Sequence, residues 1–206
     1  MGFGYVFIGY LFMYSFPYKG IDVLPDIIGF IIAYIGVRNL SDYGCGWDNL
    51  KRYFWILLPA SGVTLATQVL KLTVPNLSIY DIWSYFYTAL LLVYNVMLLV
   101  AVYHIADDTE VLSIKAKAQR NLVLGIIYYA IMLLVNIPLP AVQALNAYIS
   151  TKFPLGLVLF LFGYIWQFLN LAIIFSCYMW ICQLGDEDMP YTEKKLFKKK
   201  KEEDTQ

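Results

Sequence analysis

The sequence predicts an all-α fold, a polytopic membrane helix bundle of six transmembrane helices with both termini in the cytoplasm. Three observations predict it. Of 206 residues, 60% are apolar, 17% aromatic and only 15% charged, which is too oily for one soluble domain. The apolar residues gather in segments near the roughly 17 to 25 residues that a bilayer-spanning helix needs. The basic residues fall unequally on the two sets of connecting loops, the usual mark of membrane orientation.

The first expected span, residues 1–17, runs without a charge from Gly2 to Phe16. Pro17 and Gly20 stop it, and Pro25 suits the first turn of a second span over 26–40. Asp26 falls in that first turn, where a carboxylate meets the positive end of the helix dipole. Both spans are short, and Arg38 has to snorkel to the interface. The hairpin therefore either crosses twice or dips in and returns.

Gly44 and Gly46 make residues 41–52 a polar turn. Span three, 53–74, is rich in small residues, and Pro59 near its start is expected to kink it. After the turn at Pro75, span four covers 82–103, with Asn95 its one strongly polar side chain. Residues 104–121 form the aqueous connection, where Asp107 and Glu110 at capping-box-like spacing predict the start of a short helix. Span five, 122–142, ends in the broken Asn136-Ile137-Pro138-Leu139-Pro140 stretch. Span six, 154–182, is long enough to tilt. Residues 1–184 are thus the bundle, and 185–206 a charged cytoplasmic tail without fixed structure.

With this threading, Arg38, Lys51, Arg52, Lys115, Lys117, Arg120 and the six tail lysines share one side, twelve basic residues against Lys19, Lys71 and Lys152 on the other. Six remain against three without the tail, so the N-in, C-in orientation does not hang on it. Trp47, Trp55, Trp83 and Trp180 fall near expected interfaces; Trp166 falls at mid-membrane.

Several functions lose their footing here. The net charge is zero and nothing marks a nucleic-acid partner. Cys45, Cys177 and Cys182 are too few and wrongly spaced for a metal or a disulfide framework. There is no basic n-region or small-residue cleavage site before Pro17, and Val6 stands where a myristoylation signal wants Ser or Thr. No His-Glu-x-x-His, phosphate-binding glycine loop or nucleophilic triad is present. No catalytic residue, metal or cofactor is expected. The lone His104 reads as an interfacial residue.

Two patterns remain. In span six, Gly156, Gly163, Asn170 and Cys177 recur every seven residues, close to two helical turns, and so share a face. Gly29 and Gly36 repeat the spacing in span two. Such a stripe is expected to be a helix-packing seam with polar glue. Read more sharply, Gln68, Asn95, Asn136, Trp166, Gln167 and Asn170 make a polar midplane face of a kind that lines solute sites. Asp22, Asp26 and Asp81 form an acidic set on the outer side, explained first by helix capping and loop solvation. No expected span carries an ionisable group near its centre, which argues against a proton pump.

The turn Gly20-Ile21-Asp22-Val23-Leu24-Pro25-Asp26-Ile27-Ile28-Gly29, with the exit Cys177-Tyr178-Met179-Trp180-Ile181-Cys182 before Gly185, resembles a group of uncharacterised multi-pass membrane proteins of Gram-positive, clostridia-like bacteria. The resemblance covers about the first 45 residues and a dozen near the end. It implies a bacterial cytoplasmic (plasma) membrane and about six spans, and carries over no activity. The leading expectation is a non-enzymatic partner or accessory subunit, its contacts being the lipid bilayer and a membrane-protein partner or a second copy. The alternative is a small-solute transporter or channel using the polar face of spans four to six.

Overall fold

The computed structural model describes residues 2–13, 17–18, 21–22, 26–44, 46–74, 79–135, 137, 142 and 154–185. Its main helices are α1 (Gly2–Phe12), α2 (Asp26–Leu40), α3 (Trp47–Thr73), α4 (Ile79–Asp108), α5 (Leu112–Val135) and α6 (Leu155–Gly185). A 3₁₀ turn, Ser41–Tyr43, follows α2, and a two-residue antiparallel ladder pairs Pro17 with Asp22 and Tyr18 with Ile21.

Helix length divides these elements. At 1.5 Å per residue, α1 with 11 residues and α2 with 15 rise only about 16 and 22 Å, short of a hydrocarbon core of about 30 Å. Within α3 to α6, four segments are long and apolar enough to cross a membrane: Trp47–Lys71, Ile79–Asp108, Leu112–Val135 and Gly156–Ile181. Their outward faces fit that medium. Trp55, Ile56, Leu134, Ile165, Phe168 and Trp180 are each more than half exposed, and water would charge about 25 cal/mol for every Å² of that apolar surface.

The helices meet in chain order. Each packs on the next from α1 to α5, α5 packs on α6, and α6 returns to α1. The short α1–α2 hairpin is thus a wedge that closes the ring between α3 and α6. Glycine makes the wedge thin. A Cβ on Gly9 would stand 2.5 Å from the Gly29 carbonyl oxygen and the Ala33 nitrogen, and one on Gly36 would stand 2.6 Å from the Gly2 carbonyl. Only hydrogen fits there, so the two backbones run in contact.

The dense core sits at the wedge's end of the ring, where Phe3, Phe30, Val37, Trp47, Phe54 and Ala101 are fully buried. Phe3 meets Trp47 edge-on at 5.6 Å, and Phe30, Phe54 and Tyr94 form an edge-to-face cluster. Trp47 is therefore a core residue, unlike the exposed Trp55 and Trp180. At the far end Leu70, Ile79, Ile82 and Leu157 are exposed.

Three boundaries differ from the sequence reading. Helix α3 starts at Trp47, six residues before expected span three, so residues 47–52 of the expected polar turn are helical. Helix α4 runs on to Asp108, so Asp107 ends a helix rather than starting one, and Glu110 turns the chain with a left-handed φ of 60°. Helix α5 then starts at Leu112, ten residues before expected span five, because good helix formers carry the aqueous stretch straight into the apolar one. Lys115 meets Asp107 at 2.6 Å across this turn, an exposed ion pair that salt will screen. The glycine breaks are as expected: Gly44 and Gly46 take φ of 72° and 88°, open to glycine without strain. Helix α3 continues through Pro59. Lys19, Pro25, Cys45, Asn136, the 138–140 stretch and the tail beyond Gly185 lie outside the described residues.

Candidate functional site

Asn95 points from the middle of α4 into the ring, where an unbonded amide would cost several kcal/mol in hydrocarbon. Its bonds are made to three elements. Asn95 Nδ2 donates to the Leu91 carbonyl at 2.9 Å and to Tyr129 Oη of α5 at 3.0 Å, and Asn95 Oδ1 accepts the Tyr10 hydroxyl of α1 at 2.9 Å. Tyr10 Oη in turn accepts Asn170 Nδ2 of α6 at 3.0 Å, and Asn170 Oδ1 accepts Asn121 Nδ2 of α5 at 3.1 Å.

These bonds all run one way. Asn121 gives to Asn170, Asn170 to Tyr10, Tyr10 to Asn95, and Asn95 to Tyr129. The chain begins at Asn121 Oδ1, a buried acceptor with no hydrogen-bond partner among the described residues. It finishes at the Tyr129 hydroxyl, which has accepted from Asn95 and keeps a proton to give.

What lies at that finish is a cavity of about 70 Å³, walled by Tyr10 and Met13 next to α2's Asp26, by Leu91 and Asn95 of α4, by Tyr129 and by Gln167 of α6. At the share of about 30 Å³ that each water takes in the liquid, it has room for about two waters and the polar partners to hold them. Asp26 is half-buried, and its Oδ2 accepts the Tyr87 hydroxyl of α4 at 2.7 Å. Tyr87 stands six residues beyond Asp81 along α4, about 9 Å deeper into the ring.

Trp166 braces the network from behind. Its Nε1 donates to the Asn121 carbonyl at 2.9 Å, and its ring stacks on Tyr128 and meets Tyr129 edge-on. Gly125 permits this, since a Cβ there would lie 2.9 Å from the indole Cε2.

Of the expected polar face, Asn95, Trp166, Gln167 and Asn170 come together. Gln68 sits half-buried on α3 and does not wall the cavity; Asn136 is outside the described residues. Of the acidic set, Asp26 is drawn to the cavity, Asp81 is exposed at the start of α4, and Asp22 lies in the ladder opposite Pro17. Of the seam, Gly29 and Gly36 pack on α1, Gly163 on Tyr128, and Cys177 is buried. Gly156 is exposed, with nothing within 4 Å of a Cβ placed on it. Tyr10, Tyr87, Asn121 and Tyr129 were not singled out by the sequence. The signal for Asn121 was its place four residues before Gly125, a small-residue gap opening just beyond a polar side chain.

The seam makes a graded prediction. Gly156→Ala is expected to stabilise the protein by about 0.5 to 1 kcal/mol, because alanine is the better helix former and meets nothing. Gly163→Ala should cost about 1 kcal/mol, since the Tyr128 hydroxyl must give way. Melting temperatures in mild detergent check the order. Elsewhere in the core, Tyr94 buries a hydroxyl with no partner among the described residues. Tyr94→Phe should therefore stabilise by about 1 kcal/mol, as an unpaired polar group is removed.

Comparison with family models, with curated proteins and with solved structures finds no match for this chain.

Proposed function

We propose that the protein is a multi-pass protein of a bacterial cytoplasmic membrane that binds a small solute at its polar centre, as a transporter or channel. One observation carries this reading: a directed hydrogen-bond chain from four helices delivers an uncommitted hydroxyl proton to a cavity that also has a carboxylate in its wall. Packing glue alone needs bonded polar groups, and it gains nothing from an opening beside them.

The α1–α2 hairpin is re-entrant in this proposal, entering from the cytoplasmic side and returning to it. The lengths of α1 and α2 support that. A returning hairpin leaves α3 to α6 threaded as before, so the excess of basic residues still puts both termini in the cytoplasm. Non-helical backbone at membrane depth is tolerated where it is covered by protein or faces a wet cavity. The partner-subunit expectation drew on glycine seams, and Gly29, Gly36 and Gly163 are filled from within the chain.

The test is flux. Protein reconstituted into vesicles should pass at least one member of a panel of small polar solutes and inorganic ions faster than protein-free vesicles. Tyr129→Phe, which keeps the ring and deletes the proton, should slow it. Traces indistinguishable from protein-free vesicles across the panel count against the proposal.

A further inference from the structure

The size and chemistry of the cavity narrow what it takes. Pockets for organic ligands run to roughly 300 to 1,000 Å³, whereas this one is about 70 Å³. An ion with a water or two fits that space, and a metabolite does not. The wall then decides the sign and the valence. Asp26 supplies a carboxylate, and Tyr10, Tyr129, Asn95 and Gln167 supply neutral oxygens. These are hard donors. No imidazole or thiolate stands in the wall to favour a transition metal. Calcium sites ordinarily recruit several carboxylates, and magnesium pairs one or two carboxylates with phosphates in near-ideal octahedral geometry, while this wall has one carboxylate and flexible neutral side chains.

Resting on the solute-site reading above, we propose that the cavity is a binding site for one partly hydrated monovalent cation of sodium or potassium size. The carboxylate of Asp26 neutralises the ion, and the Gln167 carbonyl and the tyrosine hydroxyl oxygens replace part of its water shell. A remaining water accepts the Tyr129 proton. The Tyr87 hydroxyl bond to Asp26 Oδ2 fixes the carboxylate, as supporting hydrogen bonds do at metal ligands. The Tyr10–Asn95–Tyr129 relay holds the neutral side of the wall in place. Placing an ion between α1, α2, α4, α5 and α6 would also tie the wedge to the rest of the ring.

Two measurements on the full-length protein test this. In detergent at constant ionic strength, sodium or potassium chloride should raise the melting temperature above that in choline chloride, because an ion bound only by the folded state stabilises it. In vesicles under an imposed inside-negative potential, tracer sodium or rubidium should enter faster than into protein-free vesicles. Asp26→Asn keeps the side chain's size and an oxygen for the Tyr87 hydroxyl, and its melting temperature in choline chloride reports whether the fold is kept. The change should abolish the melting shift and cut tracer uptake about tenfold, the loss of about 1.4 kcal/mol of ion stabilisation. Gln167→Leu, distant from the Tyr87 bond, should weaken both.

Equal melting in sodium, potassium and choline, with uptake no faster than protein-free vesicles, overturns the proposal. So does uptake that Asp26→Asn and Gln167→Leu leave unchanged. Swelling of the same vesicles in urea and glycerol separates the two readings. If Tyr129-dependent swelling appears while cations stay outside, the solute site stands and the cation falls; if neither moves, both fall.

Discussion

Gly9→Ala is expected to lower the stability of the bundle by about 3 kcal/mol, the upper end of the range for overpacking. The added methyl meets backbone, the Ala33 nitrogen and the Gly29 oxygen at 2.5 Å, and backbone cannot rotate aside as a side chain can. Helix α1 must lift off α2, which withdraws Phe3 from Trp47 and Tyr10 from Asn95. The readout is thermal unfolding in detergent followed by tryptophan fluorescence, where Trp47 should redden in the folded baseline. Gly4→Ala is the matched control. Its Cβ meets the Tyr178 ring at 3.5 Å, ordinary contact, and the change should stay within about 0.5 kcal/mol. A Gly9→Ala protein that melts with the Gly4→Ala protein would mean that the wedge is not seated as described.

The second large effect is at the hub. Asn95→Leu removes the bonds to Tyr10 and Tyr129 while keeping an apolar body of similar size. Interhelical hydrogen bonds in membrane proteins are worth about 0.6 kcal/mol on average and up to about 1.7, so two of them predict a loss of about 1 to 3 kcal/mol. The functional loss should be larger than the stability loss, because Tyr129 and Tyr10 are no longer oriented at the cavity. Solute or ion flux should fall to the protein-free level in vesicles holding folded Asn95→Leu protein. Retained flux in such vesicles would remove the relay from the mechanism.

Much of this was legible because helices impose a period. A seven-residue stripe placed Gly163, Asn170 and Cys177 on one face, and all three are buried. The same stripe included Gly156, which is open because a helix face is an interface only where another helix opposes it, and periodicity does not say where that ends. Asn95 stood out as the one strongly polar residue of an apolar segment. The tyrosines could not, since the chain has 18 of them and most are consistent with an interface belt as readily as with a core relay.

Asp26 shows the other limit. Capping explained it locally, and in a hairpin that crosses fully it belongs at the outer surface. In the folded chain the same residue lies beside Tyr87, within the ring, and accepts its hydroxyl. The absence of ionisable residues at span centres was read on the assumption of full crossing. Helix length bears on that reading where composition does not, since 11 and 15 residues fall short of a hydrocarbon core of about 30 Å. Trp47 was similarly hidden: its neighbours Asp48, Lys51 and Arg52 are polar, and only the seating of Phe3 makes it core.

The most direct test of a wet polar centre is chemical access to one position. In a background with Cys45, Cys177 and Cys182 replaced, Gln167→Cys should react in intact membranes with a small cationic methanethiosulfonate reagent, and sodium or potassium should slow the reaction while choline does not. A thiol at position 167 that stays inert until the protein is denatured would contradict the account, because the cavity would then be dry and closed.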